Sequence, residues 1–315
     1  MDILIFALGV GLLVGGAYFL VEGGTRVAAV MGVPPVVVGL TVVAFGTSAP
    51  EFFVSVIGAL NNNTSLVLGN VIGSNVANIG LILALAAILR PVIVEKGLPK
   101  REIPILVLVT LVFTAMAQDR NLSRLDGVIL TTGFVAFMVW TIRSTNRGSP
   151  VAVLAKVPAA IEVAGHKTRE SLRGSGQVLL GMVGLAGGGH FIVTSATELA
   201  LAMGISQSVI GLTLVAVGTS LPELATTIMA AWKDQDDMAL GNIIGSNLFN
   251  ILGVAGPIAL FGLKTEDEIL PQLIAMCVLT LVMSLMIWPR HGSIGRAKGA
   301  LLLGMYGGII YMWLR

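Results

Sequence analysis

The sequence predicts an all-α membrane protein: ten transmembrane helices arranged as two inverted five-helix repeats. Three observations predict it. Of 315 residues, 55% are hydrophobic and only 11% charged, whereas a soluble domain carries about 25% charged residues; mean hydropathy is +0.92. Ten segments are apolar and long enough to be read as spans. One polar stretch occurs twice, with an odd number of those spans between its copies.

A span needs about 20 apolar residues. The candidates are 3–25, 35–60, 65–89, 102–117, 125–142, 176–202, 207–232, 238–262, 268–288 and 295–313. The short breaks carry turn chemistry, as in Gly32-Val33-Pro34-Pro35 and Asn61-Asn62-Asn63. The one long break mixes Gly, Pro, Ser and charges and reads as a linker, with an interfacial helix near 155–172. The domains are therefore residues 1–142, a first five-helix repeat; 143–175, a cytoplasmic linker; and 176–315, a second five-helix repeat.

Orientation follows from the basic residues. With the linker in the cytoplasm, alternate loops place 15 of the 19 Lys and Arg on that side. The positive-inside rule then puts both termini outside, in a multi-pass protein of the cell membrane. Net charge is only +2, so no nucleic-acid partner is expected. The single cysteine, Cys277, excludes a disulfide framework and a cysteine metal cage. Met1-Asp2-Ile3 lacks a basic n-region, so no cleavable leader is expected.

The repeat is the strongest organising signal. At a constant offset of 172, residues 39–80 align with 211–252 without a gap, and close to half the positions are identical. Five spans separate equivalent points, so the copies must enter the membrane in opposite directions. Secondary transporters with inverted repeats place their site at the repeat interface near the midplane.

Within the repeat, Gly46-Thr47-Ser48-Ala49-Pro50-Glu51 returns as Gly218-Thr219-Ser220-Leu221-Pro222-Glu223. Pro50 lacks an N–H and crowds the carbonyl of Gly46, so the helix should open there and free carbonyls near Ala44 and Thr47. Thr47, Glu51 and Ser55 are four apart, as are Thr219, Glu223 and Thr227. The following span carries Asn70, Ser74 and Asn78 beside a Gly69, Gly73, Ala77 face that permits close packing; the second copy carries Asn242, Ser246 and Asn250, with Phe249 in place of the third small residue. Asn70 and Asn242 are read as equally suited to holding helices together. Asn75 and Asn247 lie off the polar stripe and are read as structural. These are hard oxygen ligands, suited to Ca²⁺ or Na⁺ and not to a soft metal. An intramembrane carboxylate costs about 2.5–3.5 kcal/mol on the insertion scale, and two ionised ones also repel. A divalent ion, monovalent ions or protons can each offset that, and their mutual exclusion is the basis of exchange.

These motifs resemble those of the cation/Ca²⁺ exchanger superfamily, whose two repeats carry G-T-S-x-P-E and G-N-x-x-G-S-N; the chain looks closest to the prokaryotic sodium/calcium exchangers. The resemblance implies antiport of Na⁺ against Ca²⁺. It implies Ca²⁺ ligation by Glu51 and Glu223 with the carbonyls of Thr47 and Thr219. It implies sodium sites using the Ala44 and Ala216 carbonyls with Ser48, Ser220, Ser74 and Ser246, and central positions at Asn78 and Asn250. Relatives often have an aspartate where this chain has Asn250, so only two charges face the central ion. Exchange of H⁺ for Ca²⁺ or another divalent cation on the same carboxylates is the alternative.

Other classes fit less well. An intramembrane serine hydrolase needs a positioned base, and His190 has no counterpart in the second copy. No pair of intramembrane aspartates is present. The chain is expected to be a monomeric transporter, not an enzyme, with no cofactor and with cations and lipid as its partners. Glycines of the first and sixth spans (Gly9, Gly11, Gly15, Gly16, Gly23, Gly24, Gly181, Gly184 and Gly187–Gly189) are expected to permit sliding across the site. Glu22 is expected to pair with Arg26 one turn on, and His190 to be a packing residue.

Overall fold

The computed structural model describes residues 2–94, 98–145, 164–203, 216–287 and 293–313. The elements are α1 (Asp2–Met31), α2 (Pro35–Thr47), α3 (Ala49–Leu60) and α4 (Thr64–Leu89). Next come β1 (Val92–Ile93), α5 (Leu98–Ala117), β2 (Asn121–Leu122), α6 (Arg124–Thr145) and α7 (Ala164–Ala202). The chain ends with α8 (Ala216–Thr219), α9 (Leu221–Trp232), α10 (Asp236–Ala259), β3 (Leu263–Lys264), α11 (Leu270–Ile287), β4 (Ser293–Ile294) and α12 (Arg296–Trp313).

Each expected span contains helix among its described residues. Residues 207–215 of the seventh lie outside them. Among the described residues six helices are long and apolar enough to cross a membrane, and α2 with α3, taken together, makes a seventh, broken span. α5 and α12 fall outside that criterion: α5 opens with Lys100, Arg101 and Glu102, and α12 with Arg296 and Lys298. One expectation is corrected. No separate interfacial helix occupies the described part of 155–172; from Ala164 the chain is already α7, which runs unbroken to Ala202. The added turns dock on α1. Glu170 pairs with Arg26 at 2.7 Å, and a Cβ on Gly174 would lie 3.1 Å from that of Arg26.

The chain forms two compact units: Met1–Thr47 with Trp140–Asn242, and Ser48–Val139 with Ile243–Arg315. They do not coincide with the two sequence repeats.

In the first unit α1 and α7 lie backbone to backbone. A Cβ on Gly9 would lie 3.0 Å from Gly188 O, one on Gly16 2.6 Å from Leu185 N, and one on Gly23 2.7 Å from Gly174 O. Gly9, Gly16 and Gly23 on α1 thus meet Gly188, Gly181 and Gly174 on an antiparallel α7, each set spaced by seven. Most of the glycines expected to permit sliding contact form this seam. Gly11, Gly15 and Gly187 face open space, and Gly24 faces Val38 and Met238. At one end Lys233 reaches Glu22 at 2.7 Å and sits 3.6 Å over the Tyr18 ring. Arg26 closes the expected pair with Glu22 at 3.2 Å. His190 is exposed on α7.

In the second unit α3 packs on α4, α4 on α12, and α5 on α11. Two short antiparallel ladders, Val92 opposite Ile294 and Leu122 opposite Leu263, tie the loops. The offset of 172 carries each ladder onto the other to within one residue of register. It also relates Gly127, whose Cβ would lie 3.0 Å from Gly256 O, to Gly299, whose Cβ would lie 2.8 Å from Ala84 O. Pairings exchanged in this way are those of a two-fold relation, so the repeat in sequence is also a repeat in packing. Phe249 rests edge-on against Phe134, centroids 5.6 Å apart. Cys277 packs beside Thr114, 3.0 Å from its hydroxyl. The apolar window of α10 is buried along its whole length.

Candidate functional site

Both copies of the motif break the helix at the same residue. Ser48, between α2 and α3, has φ −84° and ψ 9°; Ser220, between α8 and α9, has φ −88° and ψ 2°. The proline at the start of each following helix explains the stop, since it cannot donate to the preceding turn. The glutamate then lies in the first turn of the new helix, where aligned backbone N–H groups favour a negative charge. Glu51 and Glu223 are each only 1% exposed. Upstream, α2 widens into a π turn over Gly39–Val43, with the Ala44 N–H donating to Gly39 O. α4 does the same over Asn78–Leu83 and α10 over Phe249–Ala255. Such single π turns concentrate at functional sites.

The first unit gathers Ala44, Thr47, Thr227 and Asn242. Gly39 and Gly241 let α2 and α10 touch: a Cβ on Gly241 would lie 2.7 Å from Val36 O. Thr47 Oγ1 faces Asn242 Oδ1 at 3.1 Å and Ala44 O at 3.3 Å. Asn242 Nδ2 donates to Thr227 Oγ1 at 3.1 Å. A buried amide therefore joins the end of α2 to α9, the helix that carries Glu223. Thr219, half-buried, and Ser220, buried, sit at the break before it. Ala216 opens α8. The motif glycines explain themselves by packing: Gly46 abuts Met182 and Gly218 abuts Val193, both on α7.

The second unit gathers Glu51, Ser55 and Asn70, and separately Asn78 and Asn247. Asn70 Nδ2 donates to Glu51 O at 2.9 Å and to Ser55 Oγ at 2.8 Å. Asn70 and Asn242 thus occupy equivalent positions and do equivalent work, holding the glutamate-bearing helix through Ser55 and Thr227. Of the two readings open to them, helix clamping is the one their contacts realise. Asn78 Nδ2 donates to Asn247 Oδ1 at 3.0 Å. Asn247 is therefore not turned away from the polar stripe, whereas Asn75 bonds back to Val71 O at 2.7 Å. Ser48, Ser74, Ser246 and Asn250 are all buried, and α3 packs against the π turn that bears Asn250. Among the described residues, Asn78 Oδ1, Ser246 Oγ and both amide atoms of Asn250 have no hydrogen-bond partner. Stranding a buried polar atom costs about 1–3 kcal/mol, which suits atoms reserved for a ligand.

Asn247 was the residue that spacing arguments missed. Its only signal was that the same asparagine stands in both copies, at 75 and 247. The four-residue stripe from Thr47 to Ser55 assumed one continuous helix; the break at Ser48 divides it between α2 and α3.

Among the described residues no group of three or more His, Cys, Asp and Glu side chains gathers to hold a metal. A cation bound among them would take most of its ligands from hydroxyls, amides and carbonyls.

Known proteins resemble this chain in sequence and in fold. The profile of the family described as sodium/calcium exchanger protein matches residues 1–143 and 174–315. The sodium/calcium exchanger MaX1 of Methanosarcina acetivorans is 30% identical, over 97% of this chain and 96% of its own. The inner membrane protein YrbG of Escherichia coli is 36% identical, over 94% and 91%. The solved structure of a sodium/calcium exchanger from Methanococcus jannaschii superposes with a TM-score of 0.84 at 33% identity, covering 98% of this chain and 97% of that one.

Proposed function

The chain belongs to the sodium/calcium exchanger protein family, a multi-pass cation/Ca²⁺ antiporter family, and from that premise we infer that it exchanges Na⁺ for Ca²⁺ by alternating access. The observation that carries this reading is the duplicated, buried glutamate at a broken helix. A carboxylate at membrane depth is expensive unless it serves a cation, and here the expense is incurred twice with the same surrounding hydroxyls. In the proposal Glu51 and Glu223 share one ion with the Thr47 and Thr219 carbonyls. Ala44, Ala216, Ser48, Ser220, Ser74 and Ser246 supply the flanking sodium positions, and Asn78 and Asn250 the centre. Because Asn78 and Asn250 are neutral, two carboxylates balance one Ca²⁺ or two Na⁺.

The ten-span inverted arrangement, the cytoplasmic linker with both termini outside, and action as a monomer without cofactor or enzymatic chemistry belong to the same proposal. Backbone contact along the glycine seam favours α1 and α7 moving together.

The test is ⁴⁵Ca flux in proteoliposomes under separately imposed Na⁺ and pH gradients. Flux driven by Na⁺ and abolished in Glu51→Gln and in Glu223→Gln is the expected result. Flux that follows the pH gradient and ignores Na⁺ would replace Na⁺ by H⁺ as the driving ion. Undiminished flux in both variants would remove the carboxylates from the site altogether.

A further inference from the structure

The buried amides of α4 and α10 are not used symmetrically. The offset of 172 pairs Asn78 with Asn250 and Asn75 with Asn247. Asn247 Oδ1 accepts from Asn78 Nδ2 at 3.0 Å, but Asn75 turns away to Val71 O. Asn250, among the described residues, has no partner at either amide atom. One of two equivalent amides is held and the other is not.

The holding has a chemical consequence. A side-chain amide offers a donor at one end and an acceptor at the other. A cation accepts only the oxygen; the NH₂ end repels it. While an acceptor engages Nδ2, the oxygen is the end of Asn78 that remains on offer. With Asn247 Oδ1 on Nδ2, the free end is Oδ1, which is buried and has no partner among the described residues.

We propose that Asn247 is a positioning residue that holds the Asn78 amide with its oxygen toward the transported cation. The proposal rests on the reading that Glu51 and Asn78 line the cation site. It assigns Asn247 a role in Ca²⁺ affinity, and it assigns none to Asn75, the same residue in the other copy.

The experiment measures KM and kcat for ⁴⁵Ca uptake into proteoliposomes. Asn247→Leu, close in shape but without an acceptor, should raise KM for Ca²⁺ roughly tenfold with a smaller change in kcat. Asn75→Leu should leave KM within about twofold. In an Asn78→Asp background both ends of residue 78 are oxygens and no orientation remains to be chosen. There Asn247→Leu should have little further effect on KM. A residue that merely packs would act equally in both backgrounds, so an equal rise in both overturns the proposal. An unchanged KM in Asn247→Leu, or an equal rise in Asn75→Leu, does the same. Should Asn247→Leu fail to give folded protein, Asn247→Asp keeps an acceptor for Nδ2 and must not raise KM; a rise there counts against the idea. Glu51→Gln separates the two levels. Full transport in that variant sinks the cation-site reading and this proposal with it, whereas loss of transport in Glu51→Gln with normal KM in Asn247→Leu sinks this proposal alone.

Discussion

Gly15 and Gly16 are neighbours on α1, yet alanine at each should act oppositely. Gly16 is buried in the seam with α7. Its Cβ would lie 2.6 Å from Leu185 N and 2.9 Å from both Gly181 O and Gly184 C. All three are backbone atoms, so no side chain can rotate away. Ordinary contact begins at 3.4 Å, so α1 and α7 must part locally by roughly 0.8 Å. A gap of that size forfeits about a quarter to a half of the dispersion energy of each contact it opens. Overpacking of this kind costs about 1–3 kcal/mol. Gly15 has nothing within 4 Å of its Cβ position. Both variants share the gain from replacing a helical glycine, about 1 kcal/mol, and it cancels in the comparison. Gly16→Ala should therefore be less stable than Gly15→Ala by about 1–3 kcal/mol, with Gly15→Ala at or above wild type. Thermal unfolding of the purified protein in detergent reads the difference, and ⁴⁵Ca flux shows whether the widened seam also slows turnover. Equal stability of the two variants would refute the backbone-contact account of α1 and α7.

Other consequences are open to measurement. Asn242→Leu strands Thr227 Oγ1 and leaves Thr47 only the Ala44 carbonyl, so it should cost about 1–3 kcal/mol in the same unfolding assay. Lys233→Met removes a half-exposed ion pair with Glu22 and the contact with Tyr18; a loss of about 0.5–1 kcal/mol is expected, and it should shrink when wild type and variant are compared at 1 M salt rather than about 0.1 M. Asn250→Asp adds a carboxylate to the π turn against which the helix of Glu51 packs. Under the proposed function its charge should tighten Ca²⁺ binding and lower KM for ⁴⁵Ca uptake; an unchanged KM would remove residue 250 from the site.

Much of this was legible in the order of residues. Apolar runs declare membrane helices because backbone groups in lipid must bond within their own segment. The proline after each Gly-Thr-Ser announced the break, and it falls at Ser48 and Ser220. The burial of Glu51 and Glu223 followed from their place amid apolar residues. The extension of α7 back to Ala164 was not legible. Its polar, charged surface reads as linker until Arg26 and Gly23 of a distant helix are known to receive it.

The sequence by itself determined the class of protein, the duplicated motif and the kind of atom available to a cation, because these depend on composition and on spacing along one chain. The tertiary structure decided which asparagines clamp helices and which stay unpaired, and which glycines form the α1–α7 seam. Asn70, Asn75, Asn78, Asn242, Asn247 and Asn250 are chemically identical, and only the neighbours brought to them by packing give each a donor, an acceptor or neither. A hydrogen bond reaches about 3 Å, and no periodicity within a single helix records what another helix places at that distance.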